Sequence, residues 1–402
     1  MFTALLNTFH LSLGSGVRLG DGARAANDRE AAMTAEKEIL QKSSRDLDQT
    51  RAGLAAWLAG KLPGGSAHAV TELTAPSTGQ SSETLFFTAT WHDGSVLQAR
   101  RLVARVAPRP VDMPVFPSYQ MEREFQVIRL VGELTGVPVP EAVWVEPDPG
   151  ALGTPFYIMS RVDGDVPDDI TYNSDGWLFE AGREEQRLLQ ESTVSALAAL
   201  HAAPDPERNF AFLQYPQAGD TVLSRHVAHA QAWYDYAVSL GGRCPLIERG
   251  FRWLAENWPA DSGETVLSWG DARVNNVIYR DFRPVALLDW EMAGLGPREI
   301  DIAWLVGGHH VFQEIAGLFG SPGMPHFLRL EDVATQYEAA TGHSVRDIDF
   351  YLTYTAIQWA VVFVIAGLRR VRFGEQAMPD DIHDLIINRG PLEQLLAAGR
   401  GA

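Results

Sequence analysis

The chain has 402 residues, 46% of them hydrophobic and 21% charged, which is the composition of an ordinary folded protein and not of a disordered or collagen-like one. Thirty-three Lys and Arg stand against 51 Asp and Glu, so the formal net charge is −18. That balance argues against sequence-independent nucleic-acid binding, which needs a basic face, and against anionic lipid. The single cysteine, Cys244 in a Gly-Gly-Arg-Cys-Pro turn, leaves no intrachain disulfide framework and no cysteine zinc site.

The length suggests two or three folding units with room for a large core. Residues 1–20 carry no acidic residue and lack the basic start of a signal peptide. Residues 1–44 therefore read as a loose extension, with Met33 as a candidate start of the native chain. A cytoplasmic location is expected. The most apolar stretch, 360–368, is too short to span a bilayer and ends at Arg369-Arg370.

Leu47, Leu54, Trp57, Leu58 and Leu62 fall at helical spacing, predicting a helix over 46–62 that Pro63-Gly64-Gly65 stops. Strands are predicted at 70–73, 84–91 and 97–106, the last two joined by a turn at 92–95 with an Asp-Gly step. An amphipathic helix covers 120–134, followed by strands at 143–146 and 155–162. Beyond Gly164 helices dominate: 184–203, 226–240, 246–258, 331–341 and 347–371, with short strands at 266–269, 277–279 and 285–288. This order predicts an α+β protein of two lobes, a small β-rich one over 45–162 and a larger helical one over 163–402. The cleft between the lobes is the default ligand site.

The chemistry concentrates in 266–304, VLSWGDARVNNVIYRDFRPVALLDWEMAGLGPREIDIAW. Gly270-Asp271 is followed by Asn276 after five residues, and Asp289 closes an apolar strand thirteen residues later. One carboxylate to orient an attacking hydroxyl, with an amide and a second carboxylate to hold a cation on nucleotide phosphates, is the equipment of phosphoryl transfer.

The stretch resembles the catalytic core of the aminoglycoside phosphotransferases, the small-molecule branch of the protein-kinase-like fold. The phrases WGDAR…N, LDWEM…GP…D and LGTPF…M…G are also similar to those of kinase-like domains attached to some acyl-CoA dehydrogenases. The resemblance covers roughly residues 45–395. It implies Asp271 as catalytic base, Asn276 and Asp289 as Mg²⁺ ligands, and ATP or GTP as co-substrate. Asp301 then corresponds to the residue that braces the catalytic loop by hydrogen bonds. Glu291 either contributes through water or takes no part. By the same resemblance, Ser77, Thr78, Gly79 and Ser81 lie where a phosphate-covering loop belongs. Arg105 takes the strand position of a phosphate-binding Lys, or else is a solvent-facing cation. Glu124 on the following helix is its expected partner. Met159 and Arg161 bracket the expected hinge to the purine. The chain departs from the family at Trp269, where a His is usual, and at Arg105, whose forked cation meets phosphate with a geometry different from that of Lys.

Other residues carry plainer expectations. His201 reads as a satisfied buried histidine. His309-His310 lacks a third ligand at zinc spacing. Trp233, Trp304 and Trp359 are either core or the lining of an acceptor pocket. The expected activity is a small-molecule kinase phosphorylating a hydroxyl, with an aminoglycoside, a hydroxyacyl thioester or another hydroxylated metabolite as acceptor. The alternative is a nucleotide-binding pseudokinase. Oligomeric state is not legible.

Overall fold

The computed structural model describes residues 45–398, apart from 63–68, 76–81 and 170. The expected loose extension, the Met33 start, the Pro63-Gly64-Gly65 stop and the loop residues Ser77, Thr78, Gly79 and Ser81 lie outside the described residues.

The first lobe opens with α1 (Leu47–Leu58), whose first turn is capped by the Asp46 carboxylate accepting from the amides of Asp48 and Gln49. A five-stranded antiparallel sheet follows, in the order β1-β2-β3-β5-β4. Its strands are β1 (Ala69–Thr74), β2 (Glu83–Asp93), β3 (Val96–Val106), β4 (Ala142–Glu146) and β5 (Phe156–Ser160). The β2–β3 ladder stays in register from Glu83↔Val106 to Asp93↔Val96. The turn is therefore only Gly94-Ser95, tighter than the expected 92–95, with Gly94 at φ +62°. His92 and Asp93 join the ladder instead.

Period-two alternation splits the sheet's faces. Leu102, Ala104, Val106, Phe156 and Ile158 pack with Leu54 and Leu58 of α1. Val103, Tyr157 and Met159 face the other way and join the core that runs on into the second lobe. Arg105 shares the parity of Val103, so its side chain points into the cleft. Helix α2 (Met121–Leu134) packs on β4 and β5 from this side through Val127, Ile128 and Val131.

The second lobe is built on α3 (Arg183–His201), α4 (Val222–Ser239) and α5 (Pro245–Glu256). Helix α4 starts four residues earlier than its apolar spacing suggests. The Thr221 hydroxyl accepts from the Ser224 amide and the Ser224 hydroxyl from the Thr221 amide, a reciprocal cap. Two small ribbons follow: β6 (Val266–Ser268) with β9 (Gly294–Gly296), and β7 (Val277–Arg280) with β8 (Arg283–Leu287). Besides two short helices at Gly176–Glu180 and Pro206–Asn209, the lobe has α6 (Glu299–Leu318), α7 (Leu330–Thr341), α8 (Ile348–Arg372) and α9 (Arg389–Ala398). By length and composition α8 passes for a membrane span, but nearly all of its most apolar window is buried. It packs against α4, α5, α6 and α9 as the central core helix.

The segment joining the lobes is tied to the second lobe by a two-way bridge. The Asp165 amide donates to the Tyr279 carbonyl and the Tyr279 amide to the Asp165 carbonyl, each at 2.8 Å. Gly164 permits this approach: a Cβ there would stand 2.4 Å from the Tyr279 carbonyl oxygen. The architecture is α+β, with a β-rich lobe above a helical lobe.

Candidate active site

The loop between β6 and β7 carries Asp271, Arg273, Asn275 and Asn276 into the cleft. Its entry needs glycine at 270, where φ is +86° and a Cβ would lie 2.1 Å from the Met292 carbonyl oxygen. The loop is pinned from below by Asp301, which is fully buried on the first turn of α6. Its carboxylate accepts from the Ser268 hydroxyl at 2.9 Å and from the Trp269 and Gly270 amides at 2.8 Å each. His201 Nε2 stands 2.9 Å from the same carboxylate, and its Nδ1 is 2.7 Å from the Tyr337 hydroxyl. Asp301 thus braces the loop, and His201 is a satisfied buried histidine that does not line the cavity.

Asn276 Nδ2 donates to both the Asp271 carbonyl (3.0 Å) and Asp271 Oδ2 (2.8 Å), closing the six-residue loop on itself. Arg273 meets the same carboxylate from the other side, Nε to Oδ1 at 2.7 Å and Nη2 to Oδ2 at 2.8 Å. Burial pushes the Asp271 carboxyl up from its ordinary range, and the guanidinium works against that push. The Arg273 contact is the feature that reading by motif passed over. Its only sequence signal is a cation two residues after the aspartate.

Asp289 follows β8 in the left-handed region, at φ +60°. Among residues with a side chain, Asp and Asn tolerate such a conformation best, and it recurs at sites that hold strain for function. The Leu288 amide donates to the Asn276 carbonyl at 2.8 Å, which brings Asp289 beside the loop. Arg105 Nη2 donates to Asp289 Oδ1 at 2.7 Å, and Nη1 donates to the Thr84 hydroxyl at 2.9 Å. The Arg105 side chain is only 12% exposed, which rules out a solvent-facing strand cation. Burial alone would lower its pKa, but Asp289, Glu291 and Glu124 around it raise it, so the guanidinium stays charged.

The expected Arg105–Glu124 ion pair is absent. Glu124 accepts instead from the Tyr157 hydroxyl at 3.3 Å, and burial pushes its pKa up to about 7. Register explains the difference. Arg105 lies opposite Thr84 and Tyr157 on its neighbouring strands, and its long fork reaches past α2 to the second lobe. Glu291 lies 4.0 Å from Arg105 Nη2.

At the back of the cleft Met159 is buried within the sheet, opposite Val103 on β3 and Ala142 on β4. The Ser160 and Arg161 amides are bonded to the Glu141 and Arg101 carbonyls, so both are used within the protein. The Arg161 guanidinium lies 4.9 Å over the Phe86 ring and forms a flat roof there.

These parts line one cavity of about 540 Å³, within the range of small-molecule sites. It runs from Arg161 and Met159 past Asp289 and Asp271 to a wall of Trp304, Phe312, Trp359 and Val362. Trp233 is not in that wall. It stacks behind Phe116 and donates to the Val115 carbonyl at 2.9 Å. His309 is a core residue bonded to the Tyr172 hydroxyl and the Met324 carbonyl.

Among the described residues no group of three His, Cys, Asp or Glu is placed to hold a metal. That does not oppose Mg²⁺, which takes one or two protein oxygens and completes its shell with water and phosphate. The Asp289 carboxylate and the Asn276 amide oxygen are hard donors of this type. Asn276 Oδ1 has only a long 3.5 Å contact to Arg273 Nη2. The donor set therefore fits the ion.

The family model described as the phosphotransferase enzyme family matches residues 72–328. The Arabidopsis thaliana protein named "Probable acyl-CoA dehydrogenase IBR3" is 27% identical over 300 residues, 71% of this chain and 35% of that protein. Acyl-CoA dehydrogenase family member 11 of Gallus gallus is 30% identical over 194 residues, 48% of this chain and 23% of its own. The chain thus spans only a quarter to a third of the length of these relatives. Among solved structures, a candidate aminoglycoside phosphotransferase of Ralstonia eutropha superimposes with a TM-score of 0.61 at 23% identity, over 86% of this chain and 96% of its own. Aminoglycoside phosphotransferase APH(4)-Ia, in ternary complex with AMP-PNP and hygromycin B, gives 0.52 at 15% identity, over 87% and 99%. At these identities the two structures speak to the protein-kinase-like fold.

Proposed function

Because the chain belongs to the phosphotransferase enzyme family, we propose that it is a small-molecule kinase that moves the γ-phosphoryl group of ATP or GTP to an acceptor hydroxyl. Asp271 orients that hydroxyl and receives its proton. Asp289 and the Asn276 amide oxygen would hold Mg²⁺, whose chemistry is to neutralise charge on the phosphates. Arg105 adds a second cation on the nucleotide side of Asp289. Arg161 over Phe86, with Met159, bounds the slot for the purine. Ser77, Thr78, Gly79 and Ser81 would cover the phosphates. Asp301 keeps the loop in place without touching substrate.

The observation that carries this reading is the closed Asp271–Asn276 loop standing beside Asp289 within one cavity. It is tested by Asp271→Asn. The variant should keep its affinity for Mg-ATP or Mg-GTP, measured by calorimetry, and lose diphosphate release in the presence of acceptor. Release that survives the substitution would defeat the reading. A pseudokinase, favoured by Arg105 resting on Asp289, predicts nucleotide binding with no turnover on any acceptor.

The acceptor is the finer question. The wall of Trp304, Phe312, Trp359 and Val362 favours a hydroxyl carried on an apolar or acyl body, such as a hydroxyacyl thioester, over a polycationic aminoglycoside. Against this, Asp163, Asp168, Asp169 and Glu291 also line the cavity, acids that a polycationic acceptor would meet. A panel containing both acceptor types separates the two.

A further inference from the structure

Arg273 is not demanded by the Asp-x₄-Asn spacing, yet it grips Asp271 at both oxygens. The Nε–Oδ1 and Nη2–Oδ2 contacts of 2.7 and 2.8 Å form a two-point fork, which fixes the plane of a carboxylate as a single point charge does not. Asn276 takes a further position on Oδ2. An ionised carboxylate offers about four acceptor positions, so the one left open is on Oδ1. The guanidinium is itself held from three other elements. Nη1 donates to Asp169 at 3.2 Å, its face lies 5.4 Å over the Trp359 ring on α8, and its stem runs beside Gly308 on α6.

Building on the kinase reading above, we propose that Arg273 is a positioning residue that turns Oδ1 of Asp271 toward the acceptor hydroxyl. In the transfer the hydroxyl O–H bond breaks and its proton goes to Oδ1. The acceptor oxygen bonds to phosphorus, and the nucleoside diphosphate leaves with the bridging oxygen. In this role Arg273 acts through Asp271 and carries no proton itself. It sets the direction from which the proton can leave.

The test uses the full chain, with Mg-ATP and Mg-GTP as probes and the panel of aminoglycosides and hydroxyacyl thioesters as acceptors. Arg273→Lys keeps the charge and loses the fork; Arg273→Met loses both. Diphosphate release should fall about 10- to 100-fold in each, as expected of a misaligned reacting group. Nucleotide affinity by fluorescence titration should change by less than about threefold, the split that marks loss of alignment and not of binding. Added guanidinium ion should restore part of the Arg273→Met rate and none of the Asp271→Asn rate. In the Asp271→Asn background, Arg273→Met should cost little more, because the two act as one unit. A proportional loss of nucleotide affinity, an additive double variant, or full activity of Arg273→Lys would each overturn the inference while leaving the kinase reading standing. Wild-type protein without diphosphate release would overturn both. Melting curves of the wild type and the four variants identify one that has merely failed to fold; if Arg273→Met fails, the rate and affinity of Arg273→Lys decide.

Discussion

The Arg105 guanidinium on β3 stands 2.7 Å from the Asp289 carboxylate of the second lobe, while Glu124, the acid on the neighbouring helix, is bonded to Tyr157. One cation of the sheet thus spans the cleft and rests on the residue proposed to hold Mg²⁺. Arg105→Met should weaken Mg-nucleotide binding by about 10-fold or more, the scale of a lost charge-assisted contact in a shielded site. Arg105→Lys, which is shorter and unforked, should recover only part of it. Calorimetric titration with Mg-ADP and Mg-ATP checks this. Unchanged affinity in Arg105→Met would show that the cation serves only to join the lobes.

Glu124 makes a second, pH-dependent expectation. Burial lifts its pKa from 4.5 to about 7, with Arg105 pulling down and Asp289 pushing up. The folded state therefore holds the proton more tightly than the unfolded state does. The stability this provides is fully present below the unfolded value and is lost as pH rises through the folded one. Relative to Glu124→Gln, the wild type should lose on the order of 2 kcal/mol between about pH 5 and about pH 8. Urea unfolding of both proteins across that range reads the difference. Parallel curves would mean that Glu124 stays ionised in the fold.

Asp301 is the loop's foundation. Replacing it by Ala leaves the Trp269 and Gly270 amides, the Ser268 hydroxyl and His201 without their buried partner. A loss of about 3–5 kcal/mol is expected, together with diphosphate release, because a buried polar set is broken from one side. Thermal unfolding checks the first and turnover the second. Asp301→Asn, which keeps the shape, should lose less stability.

Gly270 tests the loop's backbone. Gly270→Ala places a methyl 2.1 Å from the Met292 carbonyl at a φ of +86°, so strain and steric overlap act together. We expect at least about 2 kcal/mol of destabilisation, judged from the cost of a side chain in an incompatible backbone region. Chemical denaturation would measure it, and a neutral result would mean that the β9 side moves away freely.

The sequence carried the grouping of the site better than its contacts. That Asp271, Asn276 and Asp289 share one cavity was legible because they crowd into one stretch where acids and an amide end short apolar strands. Asp301 and His201 were legible as structural residues through the family resemblance, and their shared contact beneath the loop bears that out. The Arg105–Glu124 pair was misjudged because choice of partner depends on how far a fork reaches across a cleft, which spacing does not encode. Arg273 was passed over for the same reason, since a cation at that position could equally face solvent. Strand β9 (Gly294–Gly296) escaped because a run with two glycines has no strand propensity, and only its pairing with β6 makes it one. The start of α4 was missed because its cap uses Ser224 where Glu or Gln is the usual signal.

The most direct test of the central claim follows the phosphoryl group itself. Full-length protein would be incubated with Mg²⁺ and γ-labelled ATP or GTP against a mixed panel of aminoglycosides and hydroxyacyl thioesters, with Asp271→Asn as the blank. The account predicts label on an acceptor hydroxyl at a rate about 10²- to 10⁴-fold above the blank, the range of a removed general base. Label retained on nucleotide with every acceptor, although nucleotide binds, would contradict it.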